Sequence, residues 1–280
     1  MIRSDAESKL GLRRPPMEGE RRLRLTVSYC GTPWRGWQSL AGGDTVQDEL
    51  NAAFLKAVRA TVQVQGSGRT DAGVHALAQT AHVDVPVTLR MSDESWEKAL
   101  NACLPPTIRI LRVEAAEPNF HARFDAERKI YLYRIWRPRL MSAFEAERSW
   151  QVYGPLDIAA MRQCLEKLVG EHNFVRLSAN RGDMPETQRR ATPAKTTRTI
   201  FRAEMREAEE LIEMEFEGDG FLYKMVRMIV GSLVSVGRGR STVAWFNDLL
   251  ESSAGRQSTL MAPAGGLYLK RVIYPGERVD

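Results

Sequence analysis

The hydrophobic periodicities run the same course twice along this chain, and that repetition limits its fold more than any single motif. Arg24 to Tyr29 alternates apolar and polar residues with a period of two, as a half-buried strand does. Thr45 offers a helix N-cap with Asp48 behind it, ahead of Val46, Leu50, Phe54, Ala57 and Val58 at helical spacing. Thr61 to Gln65 is short and β-branched and predicts a strand. A glycine-rich turn follows, then a second strand over Val74 to Val85. Trp96, Ala99, Leu100 and Cys103 share one helical face, and Pro105-Pro106 ends that helix. Ile108 to Val113 predicts a closing strand.

The second course starts with the alternation of Lys129 to Trp136. A helical stripe of Ile158, Met161, Leu165 and Leu168 ends at Gly170. Thr197 to Met205 and Leu211 to Phe216 predict a strand pair. Phe221, Met225, Met228, Ile229, Ser232, Leu233 and Val236 line one helix face, Trp245 to Leu250 suggests a short extra helix, and Leu267 to Ile273 closes as a strand. Each course is β-α-β-β-α-β, a ferredoxin-like order. The expectation is an α+β protein of two similar halves, residues 23–116 and 117–280, with a mixed or antiparallel sheet. A cleft between the halves would suit a large ligand. Residues 1–22 are polar and charged with Pro15-Pro16, and predict a disordered lead-in without the apolar centre of a signal peptide.

The composition fits a protein with its own core: 280 residues, 43% hydrophobic and 27% charged. No apolar run approaches a membrane span; the richest, Met225 to Val236, is interrupted by Arg227. Cys30, Cys103 and Cys164 are scattered with no C-x-x-C pair, which argues for a reducing, cytoplasmic setting and against a zinc ribbon. A net charge of +5 suits a polyanionic partner without demanding one. Arg181, Arg189, Arg190, Lys195 and Arg198 crowd a segment poor in large apolar residues, readable as a solvated loop or a phosphate-contacting one.

The densest cluster of unusual residues runs from Gly66 through Ser67, Gly68, Arg69, Thr70, Asp71, Ala72, Gly73 and Val74 to His75. It is not a dinucleotide fingerprint, because Asp71 stands where a third glycine belongs. It is not a P-loop, since it holds no lysine, and Gln65 replaces the first glycine of a nucleophile elbow. Two readings remain open on physical grounds. One is a rigid loop presenting Arg69 and Asp71 between two strands; the other is a hairpin turn whose aspartate caps its own backbone.

The stretch Gly-Arg-Thr-Asp-Ala-Gly-Val-His-Ala, residues 68–76, resembles the signature of the pseudouridine synthase family typified by tRNA pseudouridine synthase A. The resemblance extends from about Arg24 to Pro275. It takes in Gly36-Trp37-Gln38, Thr45-Val46-Gln47, Leu100-Asn101-Ala102, Leu104-Pro105 and Phe120-His121-Ala122-Arg123-Phe124, then Tyr131-Leu132-Tyr133, Met225-Val226-Arg227, Ile229-Val230-Gly231 and Gly266-Leu267. It implies that Asp71 is the catalytic carboxylate and that Arg69 helps hold the target nucleotide out of its stack. It implies also that Tyr131 packs on the target base and that Arg227 pairs with the catalytic carboxylate. By the same resemblance the chain is an isomerase converting uridine to pseudouridine in the anticodon stem-loop of tRNA, at positions 38 to 40, and works as a homodimer. Departures are Cys30 in place of a usual aspartate, Trp34 in place of a tyrosine or phenylalanine, and a poorly matching Val175 to Ala194. They bear on which uridines are chosen.

The implied reaction suits these residue types. It breaks the N1–C1′ bond, rotates the uracil and rejoins it through C5, with nothing oxidised or hydrolysed, so no cofactor or metal is expected. A free aspartate, with a pKa of roughly 3.9, is already anionic at neutral pH and can attack the sugar or stabilise its cationic character. A nearby arginine keeps it ionised when RNA excludes water. His75 and His82 read as ordinary hydrogen-bonding residues, Tyr133, on the sheet face of Tyr131, as a supporting structural residue rather than a catalytic one, and one of Trp34 and Trp37 as core. A non-catalytic RNA-binding module or tRNA chaperone is the competing reading. A metal-dependent nuclease is weaker, for want of clustered carboxylates or histidines.

Overall fold

The computed structural model describes residues 13–179, 196–251 and 253–278. The chain divides into two compact units, one of residues 1–72, 76–126 and 272–280, the other of residues 73–75 and 127–271.

In the first unit, β1 (Glu20–Tyr29) runs antiparallel between β3 (His75–Pro86) and β4 (Ile108–Ala115), and β2 (Gln65–Gly66) lies antiparallel on β3. Leu23, Leu25, Val27 and Tyr29 are buried on one face of β1, as the alternation requires. Two helices, α1 (Val46–Val58) and α2 (Asp93–Cys103), pack on each other, with the rings of Phe54 and Trp96 5.7 Å apart. Full burial of each such side chain contributes about 1.5–3 kcal/mol. Thr45 caps α1: its hydroxyl accepts from the Asp48 amide at 3.3 Å and donates to the Asp48 carboxylate at 2.5 Å.

The predicted strand over Thr61 to Gln65 shrinks to Gln65–Gly66. Side chains of α1 take the backbone groups a ladder would have used. Asn51 accepts from the Val64 amide at 2.9 Å, and Gln47 donates to the Val64 carbonyl at 2.6 Å. At the N-terminal end, β1 begins at Glu20, inside the expected lead-in, and pairs there with Pro86. Arg22 is buried, forked onto both carboxylate oxygens of Asp84 and donating to the carbonyls of Pro118 and Phe120.

In the second unit the strand order is β10-β5-β9-β8-β7, formed by β10 (Leu267–Ile273, its last two residues counted with the first unit), β5 (Arg128–Trp136), β9 (Leu211–Gly218), β8 (Thr197–Ala208) and β7 (Gly170–Asn173). The short β6 (Trp150–Gln151) pairs parallel with the end of β5, which makes the sheet mixed. Among the described residues the unit has three α-helices, α3 (Ile158–Leu168), α4 (Met225–Gly237) and α5 (Val243–Glu251), and short 3-10 turns at Phe174–Leu177 and Ala264–Gly266. All residues of α4 except Arg227 are buried, as in a helix covered on every side. The expected stripe from Phe221 becomes helical only at Met225, because Lys224 adopts a left-handed φ of 61°. The α+β class and the mixed sheet are as the periodicities predict. β6 and β7 carry no readable pattern because they are too short to show one.

Candidate active site

The glycine-rich segment of the first unit is a held loop. The Ser67 amide donates to the Thr80 carbonyl at 2.8 Å, and the Ser67 hydroxyl to the Gln79 side-chain oxygen at 2.6 Å. Gln79 in turn donates to the Gly68 carbonyl at 2.9 Å. Thr70 is gripped from the other side: its hydroxyl lies 2.8 Å from that of Tyr29, and its carbonyl accepts from the Trp37 amide at 3.1 Å. Ser67 and Thr70 are buried, whereas Arg69 is exposed and Asp71 half-buried. Ser67 and Thr70 therefore anchor the loop, while Arg69 and Asp71 on either side of Thr70 keep access to solvent. That favours the presenting loop over a simple hairpin turn.

Two glycines outside residues 68–76 permit this packing. Gly36 has φ +94°, and a Cβ there would stand 2.6 Å from the Thr70 carbonyl oxygen. A Cβ on Gly66 would meet the Trp37 ring at 2.5 Å. Trp37 is only 2% exposed, so it is the core member of the tryptophan pair; Trp34 is half-buried. Sequence reasoning missed the parts played by Tyr29 and Thr70. The one available signal was that Tyr29 ends the first strand.

The other two predicted site residues lie in the second unit. Tyr131, on β5, is opposite Phe216 of β9, 9% exposed, and edge-on to Phe221 with ring centroids 4.9 Å apart. Arg227 stands in the first turn of α4, half-buried, its Nε donating to the Ala262 carbonyl at 2.9 Å. Tyr133 is fully buried and donates to the neighbouring carbonyl of Pro263 at 2.9 Å, the supporting role expected of it. Burial drives the Tyr133 phenol far above its ordinary range, against the pull of the Arg227 charge, so it stays a neutral donor.

The histidines make ordinary hydrogen bonds. His75 stacks on Tyr268 with centroids 4.6 Å apart, and its Nε2 lies 3.0 Å from the Glu147 carbonyl and 3.1 Å from that of Gly265. Burial lowers its pKa, with those two carbonyls opposing. His82 accepts from the Ala122 amide through Nδ1 at 3.2 Å. Among the described residues no three histidine, cysteine, aspartate or glutamate side chains are grouped to hold a metal ion, and no helix is long and apolar enough to cross a membrane. Of the basic cluster, Arg181, Arg189, Arg190 and Lys195 lie outside the described residues. Arg198 is half-buried and donates to the Thr197 carbonyl at 2.6 Å.

The tRNA pseudouridine synthase family profile matches residues 26–125 and 165–275, spanning the loop, Arg227 and most of both units. The chain belongs to this family. Among relatives, the tRNA pseudouridine synthase A of Akkermansia muciniphila is 40% identical over 257 residues, 91% of this chain and 96% of the relative. That of Solidesulfovibrio magneticus is 41% identical over 258 residues, 90% of this chain and 91% of the relative. That of Geobacillus kaustophilus is 38% identical over 258 residues, 91% and 95% respectively. Nearly the whole length of a tRNA pseudouridine synthase is thus represented here, and the loop bearing Asp71 falls in the first matched block.

Proposed function

We propose that this protein isomerises uridine to pseudouridine in tRNA, with Asp71 as nucleophile and Arg69, Tyr131 and Arg227 as substrate-binding residues. The observation that carries the reading is the family match across a loop whose buried residues are pinned while Asp71 and Arg69 keep access. The relatives' names supply the substrate class. Chemically, the carboxylate engages the sugar as the N1–C1′ bond breaks, and the freed uracil turns and bonds through C5. The C5 proton leaves and N1 gains one, so the reaction is balanced without an oxidant or a hydrolytic water. Arg69, exposed at the loop, suits contact with phosphate or with the space a displaced base leaves. Tyr131 offers an aromatic surface, and stacking of a base on such a surface contributes about 1–3 kcal/mol.

The finer features belong to the same proposal: action on the anticodon stem-loop at positions 38 to 40, a homodimer and a cytoplasmic location. So does reading each unit as a ferredoxin-like βαββαβ module. The orders β4-β1-β3-β2 and β10-β5-β9-β8 support it, with β6 and β7 as additions.

Unmodified tRNA transcript, incubated with wild-type protein and with Asp71→Asn and mapped by carbodiimide adducts and primer extension, tests the proposal. Stops in the anticodon stem-loop with wild type and none with the variant are expected. RNA-binding wild-type protein that modifies none of a varied set of tRNAs would overturn the enzyme reading in favour of a binding module.

A further inference from the structure

We infer that Tyr29 is a positioning residue for the isomerisation, acting through the Thr70 hydroxyl on the backbone that carries Asp71. The inference rests on the reading of Asp71 as nucleophile. Tyr29 is 3% exposed and Thr70 7% exposed, and their hydroxyls lie 2.8 Å apart, so neither has water as a ready alternative partner. The pairing of β1 with β3 shifts register between Val27 and Tyr29, a bulge that re-aims the last residue of the strand. The Thr70 carbonyl is held independently by the Trp37 amide, with the Gly36 backbone packed against Thr70 and Asp71. Ser67 and Gly68 are held by Gln79 on the opposite side. Thr70 is thus held at two points, its carbonyl by the Trp37 amide and its side chain by the Tyr29 hydroxyl, and the second contact fixes the Thr70 rotamer and completes the positioning of the residue that leads into Asp71. A nucleophile must sit within a few tenths of an ångström of its attack geometry, and displacement of about 1 Å costs on the order of a hundredfold in rate.

The test measures single-turnover conversion of unmodified tRNA at saturating enzyme, tRNA affinity by filter binding, and thermal melting. The variants are Tyr29→Phe, Thr70→Val, the double variant, Thr70→Ser and Asp71→Asn. Tyr29→Phe and Thr70→Val should each slow conversion about tenfold, the size of one neutral hydrogen bond. Affinity should not change, and the double variant should be no slower than either single one. Thr70→Ser, which keeps the hydroxyl, should recover most of the rate. Tyr29→Phe at the wild-type rate, or a loss of rate matched by an equal loss of affinity, would overturn the inference. Asp71→Asn separates the two levels. An inactive Asp71→Asn beside a fully active Tyr29→Phe defeats only the role of Tyr29. An active Asp71→Asn defeats the nucleophile assignment and this inference with it.

Discussion

Arg227 and Ala262 hold each other at two points: the Arg227 Nε donates to the Ala262 carbonyl at 2.9 Å, and the Ala262 amide donates to the Arg227 carbonyl at 2.9 Å. The Pro263 carbonyl is taken by Tyr133. The segment before β10 is thus clasped to the first turn of α4 and to β5, and the direction of the guanidinium is fixed by backbone. Arg227→Lys keeps the charge but loses the planar fork. It should destabilise the protein by about 1–3 kcal/mol through the unmet Ala262 carbonyl and slow conversion of tRNA. Urea unfolding alongside the rate measurement checks both; wild-type stability would show that the clasp carries little energy.

Gly231 sets two general effects against each other. Alanine is the better helix former by about 1 kcal/mol. A Cβ at Gly231, however, would stand 2.7 Å from the Leu260 carbonyl oxygen and 2.9 Å from the Met261 amide. Backbone cannot swing aside as a side chain can, so overpacking of about 1–3 kcal/mol should win. Gly231→Ala is expected to lower the urea midpoint and, by pushing the segment next to Ala262, the activity. A raised midpoint would mean that the segment yields freely.

The aromatic surface of Tyr131 can be separated from its hydroxyl. Tyr131→Phe keeps the ring and its edge-on contact with Phe221, and should retain most tRNA affinity. Tyr131→Ala should lose about 1–3 kcal/mol of stacking, roughly a 5- to 150-fold effect. Equal behaviour of the two variants in binding would refute a stacking role.

Acid should weaken the first unit. His82 is held down to about 3, by burial first and the Arg22 charge second, and His121 to about 4 for the same two leading reasons. Both folded values lie below the ordinary imidazole value of 6.5, so on acidification the unfolded chain takes up protons before the native one does. The stability gained by keeping the rings neutral is complete above about pH 6.5 and is lost as pH falls toward those folded values. The buried His82 imidazole contributes a slope of about 1.4 kcal/mol per pH unit in that window, and His121 adds in the same direction. Burial lowers His75 as well, adding in the same direction. Urea midpoints from pH 7.5 down to 5 should fall steadily, and His82→Gln should flatten the curve. A profile already flat in the wild type would contradict this.

What was legible in the sequence was whatever local physics dictates. The alternation in Arg24 to Tyr29 and Lys129 to Trp136 marks β1 and β5, because side chains of a strand alternate between faces whatever packs against them. The Thr45 cap marks the start of α1, because its partner is three residues away. The glycine-rich segment holding Arg69 and Asp71 stood out by composition, whereas the roles given to Asp71, Arg69, Tyr131 and Arg227 came through the resemblance to the family and stay part of the proposal. Only the tertiary structure decided the rest. The Gln47 and Asn51 side chains cut the predicted strand before Gln65 to a remnant. Thr70 is set by Tyr29, 41 residues earlier, and Arg227 by Ala262, 35 residues later. Such pairs leave no periodic trace, because a hydrogen bond between distant residues depends on where packing brings their backbones and not on any spacing along the chain.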